Sequence, residues 1–302
     1  MRVLVTGGSG FLGHAVVASL RRHGHDTLVM QRTAGDRESV QGDVRDRDAV
    51  RRAVADVDGV CHLAGLARVR ESFTRPVDYW ATNVGGTINL LDALVATAED
   101  APKRLVLAST AAVYGTPEKQ PIDEDTATAP NSPYGASKLA ADQAAADASR
   151  LDLIGAVSLR AFNIAGDSCG RPDSDRTRLI PKVLAVQAGL EPDMSVNGNG
   201  SAVRDFVHVF DMADAFALAL AAATPGSWRA YNIGAAQASV SDVIRAAEEV
   251  TGRPVPVRHL PPANEPLTLV ADSTRARDEL GWQPKKSTLP QILQDAWNAL
   301  TS

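Results

Sequence analysis

The segment Thr6-Gly7-Gly8-Ser9-Gly10-Phe11-Leu12-Gly13 most narrows what this chain can fold into. It follows the apolar run Val3-Leu4-Val5 and opens a stretch of helical period over residues 13–23. Gly7, Gly10 and Gly13 stand at G-x-x-G-x-x-G spacing. Glycines there permit a tight turn, close approach of backbone to a pyrophosphate, and close helix–strand packing. The N-terminus of the helix that follows offers unpaired N–H groups and a favourable dipole to an anion. A plain glycine turn has the same composition, but strand before and helix after is the context that dinucleotide binding demands.

The rest of the first half repeats this alternation. Strands are expected at Val3–Val5, Thr27-Leu28-Val29-Met30, Gly59-Val60-Cys61-His62, Leu105-Val106-Leu107 and Gly155-Ala156-Val157-Ser158-Leu159, with helices over 13–23, 46–55, 83–97 and 134–150. Runs apolar on both faces suit a parallel sheet covered by helices, so the expected class is α/β with a doubly wound parallel sheet. Residues 166–178 are polar and aperiodic, a loop. Later strand and helix signals end in Leu289, Ile292, Leu293, Ala296, Trp297 and Leu300 at helical spacing. The division expected is a dinucleotide-binding domain over 1–165 and a smaller α/β substrate-binding region over 166–302, with elements free to cross back to the first.

Composition excludes several classes. A formal charge of −5 without a basic block argues against nucleic-acid binding. No apolar stretch approaches the roughly 20 residues that span a bilayer, and Met1-Arg2 leads straight into the first strand without a leader pattern. A soluble, cytoplasmic protein is expected. Cys61 and Cys169 make neither a disulfide framework nor a zinc spacing. Asp205, His208 and Asp211 could suggest a metal, but alternation through Phe206, His208 and Phe210 reads as a strand and Asp211 as a helix cap, so no metal is expected. His62, ending an apolar strand, reads as a core histidine.

Two further constellations bear on chemistry. The end of the second strand discriminates between nicotinamide dinucleotides: an acid there bonds the adenosine ribose, whereas an Arg accommodates a 2′-phosphate. Gln31-Arg32 has no acid, which leans to NADP through Arg32. Asp43, in Gly42-Asp43-Val44, could accept from an adenine amino group. Tyr134 and Lys138 stand at i, i+4 at the start of a helix, so phenol and ammonium share one face. A fixed cation lowers a tyrosine pKa and makes an acid/base usable near neutrality. They follow Ser109-Thr110 at the end of the fourth major strand, on the edge where α/β sheets gather ligands.

In these motifs the chain resembles the extended short-chain dehydrogenase/reductases. Within them it is most similar to the NAD-dependent epimerase/dehydratase family and its UDP-glucose 4-epimerase branch. The matching stretches include Thr6 to Gly13, His62-Leu-Ala-Gly-Leu66, Asn83-Val-Gly-Gly-Thr87, Ser132-Pro-Tyr-Gly-Ala-Ser-Lys138, Arg160-Ala-Phe-Asn163, Leu179-Ile-Pro181, Val203-Arg-Asp-Phe-Val-His-Val209 and Tyr231-Asn-Ile-Gly234, in the family's order along nearly the whole chain. The resemblance implies a Rossmann fold, bound NAD, a nucleotide-diphosphate sugar as substrate and a homodimer through the helices at 83–97 and 134–150. It implies Thr110 as the substrate-side hydroxyl, Tyr134 as acid/base and Lys138 on the nicotinamide ribose. Phe11, Leu12, Asp43, Val44, Leu63, Ala64, Gly65 and Asn83 fall where the family contacts cofactor; Asn163, Leu179 and Arg204 fall where it holds the substrate's nucleotide diphosphate. The implied reaction is transient oxidation at sugar C4 and return of hydride to the opposite face.

The chain departs from that pattern at Gln31, where the family usually has Asp, and at Ala67, where a Lys is frequent. It departs again at Pro261-Pro262, in place of a second diphosphate-binding Arg for which Arg258 is the candidate replacement. These departures keep an NADPH-dependent keto-sugar reductase open as the alternative. Ala111-Ala112 after Thr110, instead of an acidic pair, argues against a 4,6-dehydratase. Retention of Tyr134 and Lys138 argues against a non-catalytic dinucleotide sensor.

Overall fold

The computed structural model describes residues 1–33, 35, 38–98, 101–262 and 266–302. In chain order the elements are β1 (Arg2–Thr6), α1 (Phe11–Arg22), β2 (Asp26–Gln31), β3 (Ser39–Gln41), α2 (Arg47–Val54), β4 (Gly59–His62), α3 (Val69–Ser72), α4 (Pro76–Tyr79), α5 (Gly86–Thr97), β5 (Lys103–Thr110), α6 (Pro133–Ser149), β6 (Ile154–Ala161) and β7 (Asn163–Ala165). There follow α7 (Leu179–Gln187), β8 (Met194–Asn197), β9 (Val203–His208), α8 (Val209–Ala222), β10 (Trp228–Ile233), β11 (Ala236–Ser239), α9 (Val240–Thr251), β12 (Val257–Leu260), β13 (Thr268–Leu269), α10 (Thr274–Leu280) and α11 (Leu289–Thr301).

Seven strands form one sheet in the order β10-β6-β5-β4-β1-β2-β3, and every neighbouring pair is parallel. Each central strand is apolar on both faces because helices cover both. Val3, Val5, Cys61, Val106 and Val157 face α1 and α8 in one core. Leu4, Val60, Leu105, Leu107 and Ala156 face α2, α5 and α6 in the other. The strand order reverses between β1 and β4, so a crevice opens beyond their carboxyl ends, where ligands of doubly wound sheets bind.

Beyond residue 165 the chain builds a second core from α7, α9, α11, β8 and β9. There β9 pairs with β7, β11 and β13, and β8 with β12. Within residues 209–233, α8 packs on α1 and β10 is the seventh strand of the first sheet.

Local chemistry adjusts two expectations. The helix expected from Asn83 is preceded by a π turn at Trp80–Gly85 before α-geometry begins at Gly86. The Thr87 hydroxyl takes the Asn83 carbonyl at 2.7 Å, and the Asn83 side chain is drawn to Leu66, accepting from its N–H and donating to its carbonyl. The cap of α8 is His208, whose Nδ1 accepts from the Phe210 N–H, and not Asp211. Asp211 lies one turn further in and accepts from the backbone N–H groups of Lys285 and Lys286 and the Ser287 hydroxyl, anchoring the C-terminal segment.

Candidate active site

A cavity of about 880 Å³ runs from the glycine turn after β1, past the ends of β4 and β5, to the second core. At one end Gly7 has φ +73°. A Cβ on Gly7 would lie 2.7 Å from the Ala64 nitrogen, and one on Gly13 would overlap the Gly7 carbonyl and approach Gly8 Cα to 2.6 Å. The turn is thus pressed against β4 and closed on itself in a way no side chain permits. α1 begins at Gly10 without a side-chain cap, which leaves its first-turn N–H groups for a ligand. Gly10, Phe11, Leu12, Leu63 and Gly65 line the same end. The cradle fits a dinucleotide pyrophosphate.

Thr110, Tyr134 and Lys138 meet in the middle. Ser132 caps α6 by accepting from Gly135 N–H, with Pro133 in the first turn, and this sets Tyr134 and Lys138 on the face turned to β5. The Lys138 ammonium donates to the Ala108 carbonyl at 2.8 Å. Burial lowers its pKa to about 8, against the pull of Asp142. Tyr134 meets Tyr79 edge-on, with ring centroids 6.3 Å apart. Burial raises the phenol above its ordinary range, while the Thr110 hydroxyl and the Arg178 charge draw it down. The Lys138 ammonium is turned to the β5 carbonyl, and the Arg178 charge also bears on the phenol. Ser109, the other hydroxyl considered, also lines the cavity and donates to Asp142.

Asn163, Leu179 and Arg204 line the far end. Asn163 donates to the Asp205 carbonyl at 2.7 Å, and Arg204 to the carbonyls of Val203 and Pro266. Arg32, Asp43, Val44, Ala64 and Asn83 do not line the cavity. Arg32 and Asp43 stand further along the same sheet edge, and both Asp43 oxygens accept from Arg45, which holds its carboxyl below the usual range. Val44 and Asn83 are buried. Ala67 lines the cavity, whereas the neighbouring Arg68 is turned to Asp175 at 3.2 Å. Arg258 bonds Ser195 and lies 3.5 Å from Asp193, outside the lining.

The sequence reading missed residues that only the fold assembles. Arg176, Thr177 and Arg178 come from the polar loop 166–178, and Met194 to Asn197 from β8. Arg178 is tied to Asp173 at 3.0 Å. Its place immediately before Leu179, at the start of α7, was the available signal. The same loop straps the glycine turn: Ser168 donates to the Phe11 carbonyl and Arg171 bonds His14. Beneath the site, the His62 ring bonds the Thr6 hydroxyl at 2.7 Å, and that hydroxyl accepts from Ala64 N–H.

Compared with known proteins, residues 3–234 match the model of the NAD dependent epimerase/dehydratase family. A UDP-glucose 4-epimerase of Corynebacterium glutamicum is 39% identical, over 100% of this chain and 96% of the relative. The solved UDP-glucose 4-epimerase of Stenotrophomonas maltophila, with bound NAD and formylated UDP-arabinopyranose, superposes with a TM-score of 0.91 at 31% identity, covering 100% of this chain and 98% of that one. The enzyme of Bifidobacterium longum in complex with NAD+ and UDP gives 0.89 at 31% identity, again covering 100% and 98%.

Proposed function

Because the chain belongs to the NAD dependent epimerase/dehydratase family, we propose that it is a nucleotide-sugar 4-epimerase acting on UDP-hexoses. The observation that carries the reading is the placement of Thr110, Tyr134 and Lys138 midway between a pyrophosphate cradle and a polar pocket in one cavity. We assign the cofactor as NAD, which the related structures hold. Arg32 is the feature that favours NADP.

A bound nicotinamide dinucleotide would supply the hydride acceptor and donor for sugar C4. The chain's residues do the rest. Tyr134 takes the 4-hydroxyl proton and returns it, with the Thr110 hydroxyl beside it sharing the substrate oxygen. Lys138 holds the ribose side of the cradle. Asn163, Leu179 and Arg204 keep the nucleotide diphosphate fixed while the flat keto sugar turns, since hydride returns only to a correctly placed face. Loop 166–178 excludes water by bridging the two ends.

We further propose a cytoplasmic homodimer built on α5 and α6. Phe73, Val77, Trp80 and Ile88 expose large apolar side chains just after α3 and in α4, the π turn and α5, more than isolated surface residues explain. Among the described residues no helix is long and apolar enough to cross a membrane.

The test is to incubate purified protein with UDP-galactose without added dinucleotide, follow UDP-glucose by NMR, and identify the dinucleotide released on denaturation. Turnover with released NAD is the expected result. Conversion only of a keto sugar, with stoichiometric consumption of NADPH, overturns the reading in favour of the reductase and gives Arg32 its role.

A further inference from the structure

A buried polar chain lies directly behind the catalytic turn of α6 and takes no part in the reaction described above. Asp142, one turn after Lys138 and two after Tyr134 on the same face, is 2% exposed. One of its oxygens accepts from the Ser109 hydroxyl at 2.9 Å and from Arg160 Nε at 3.3 Å. Arg160 donates onward to the Tyr114 hydroxyl at 2.8 Å, and Tyr114 donates to Asn232 Oδ1 at 2.8 Å. The Asn232 N–H donates to Glu124 at 2.7 Å. The chain thus joins α6 to the carboxyl ends of β5, β6 and β10, the strand ends that carry Thr110 and lead into Asn163.

A buried Asp–Arg pair holds a fold together as readily as it serves a site, and apolar replacements often do that as well. What singles this pair out is Lys138. Its ammonium is buried and donates to one backbone carbonyl, and among the described residues no carboxylate lies within ion-pair distance of it. With Tyr134 in its phenol form, the other ionisable groups around it offer no negative charge. His62 from β4 is buried and neutral, Arg160 from β6 is paired to Asp142, Arg178 from loop 166–178 is paired to Asp173, and Tyr134 and Tyr114 are phenols. Asp142 is the one acidic group that acts on Lys138 from its own helix.

We propose that Asp142 is a positioning residue for the active site: it is the counter-charge that keeps the Lys138 ammonium protonated, and through Ser109 and Arg160 it clamps the catalytic turn of α6 to the ends of β5 and β6. The proposal rests on Lys138 belonging to the active site as read above. It also gives the Ser109 hydroxyl a partner in Asp142.

The experiment titrates Lys138 directly, by NMR of lysine labelled at Nζ or Cε. The chain has six lysines, and Lys138→Arg assigns the signal. In the wild type Lys138 is expected to titrate near 8. In Asp142→Asn its proton affinity is expected to fall at least tenfold. Should the unpaired Arg160 charge unfold that variant, the apolar pair Asp142→Leu with Arg160→Met removes both charges, and the same downward direction is expected. An unchanged Lys138 titration in the folded variant overturns the proposal. Turnover is read separately: the alkaline limb is expected to move with the titration at little change in KM. A moved titration with an unmoved limb supports the role of Asp142 and counts instead against the role assigned to Lys138.

Discussion

Acid should loosen this protein through His62, and by an amount that the structure sets. The ring sits at the end of β4, 3% exposed, under the glycine turn. The Thr6 hydroxyl lies 2.7 Å from His62 Nδ1 and accepts from Ala64 N–H, so with the ring neutral it can donate its own proton to Nδ1. Burial, then the Lys138 charge, lowers its pKa to about 3. In the unfolded chain the ordinary value is about 6.5. Between these values the unfolded state binds the extra proton, so stability rises with pH; this contribution is complete above about 6.5 and is lost as pH falls toward 3. At about 1.4 kcal/mol per pH unit the whole span is worth about 5 kcal/mol. For a chain of 302 residues each unit corresponds to about 2 °C of melting temperature. The assay is thermal or urea unfolding from pH 6.5 to 4.5 on the wild type and His62→Gln. The other titrating groups are common to both proteins, so the difference in slope isolates this ring. The wild type should lose about 2 kcal/mol more than the variant across that window. Parallel slopes would refute the buried neutral histidine and the hydrogen-bond chain built on it.

Tyr134→Phe removes the proton carrier while keeping the ring against Tyr79, so turnover should fall about 10²- to 10⁴-fold with dinucleotide affinity retained, as steady-state kinetics and a binding titration would show. Gly13→Ala would gain about 1 kcal/mol in an isolated helix. Here the methyl group meets the Gly7 carbonyl and Gly8 backbone, so calorimetry should find dinucleotide affinity lost by tenfold or more. Ile88→Glu places a charge on the exposed face of α5 and should shift light scattering from dimer to monomer at the same protein concentration.

Local pattern carried much of this molecule. The strand–glycine turn–helix unit was legible because only glycine tolerates the positive φ of Gly7 and the backbone approach at Gly13, and those demands act within eight residues. The parallel sheet was legible because strands buried on both faces must be apolar throughout. Tyr134 and Lys138 were legible as a pair because helical period alone puts them on one face. The π turn at Trp80–Gly85 was not, since its cause is the bonding of Asn83 to Leu66, seventeen residues earlier. The cap of α8 was misread because His208 caps, while the acid that suited the role is drawn away by backbone N–H groups more than seventy residues later.

The sequence by itself therefore determined most of the elements, their class and the helix turn that carries Tyr134 and Lys138, since propensity, period and steric allowance are properties of neighbouring residues. Only the tertiary structure decided that β10 returns to the first sheet and that Arg178, from loop 166–178, joins Tyr134 and Lys138 in one cavity. It alone joined Asp142 to Ser109 and Arg160 under the site. Those are matters of burial and of charge meeting charge between segments far apart in the chain, and they exist only once the chain has closed around them.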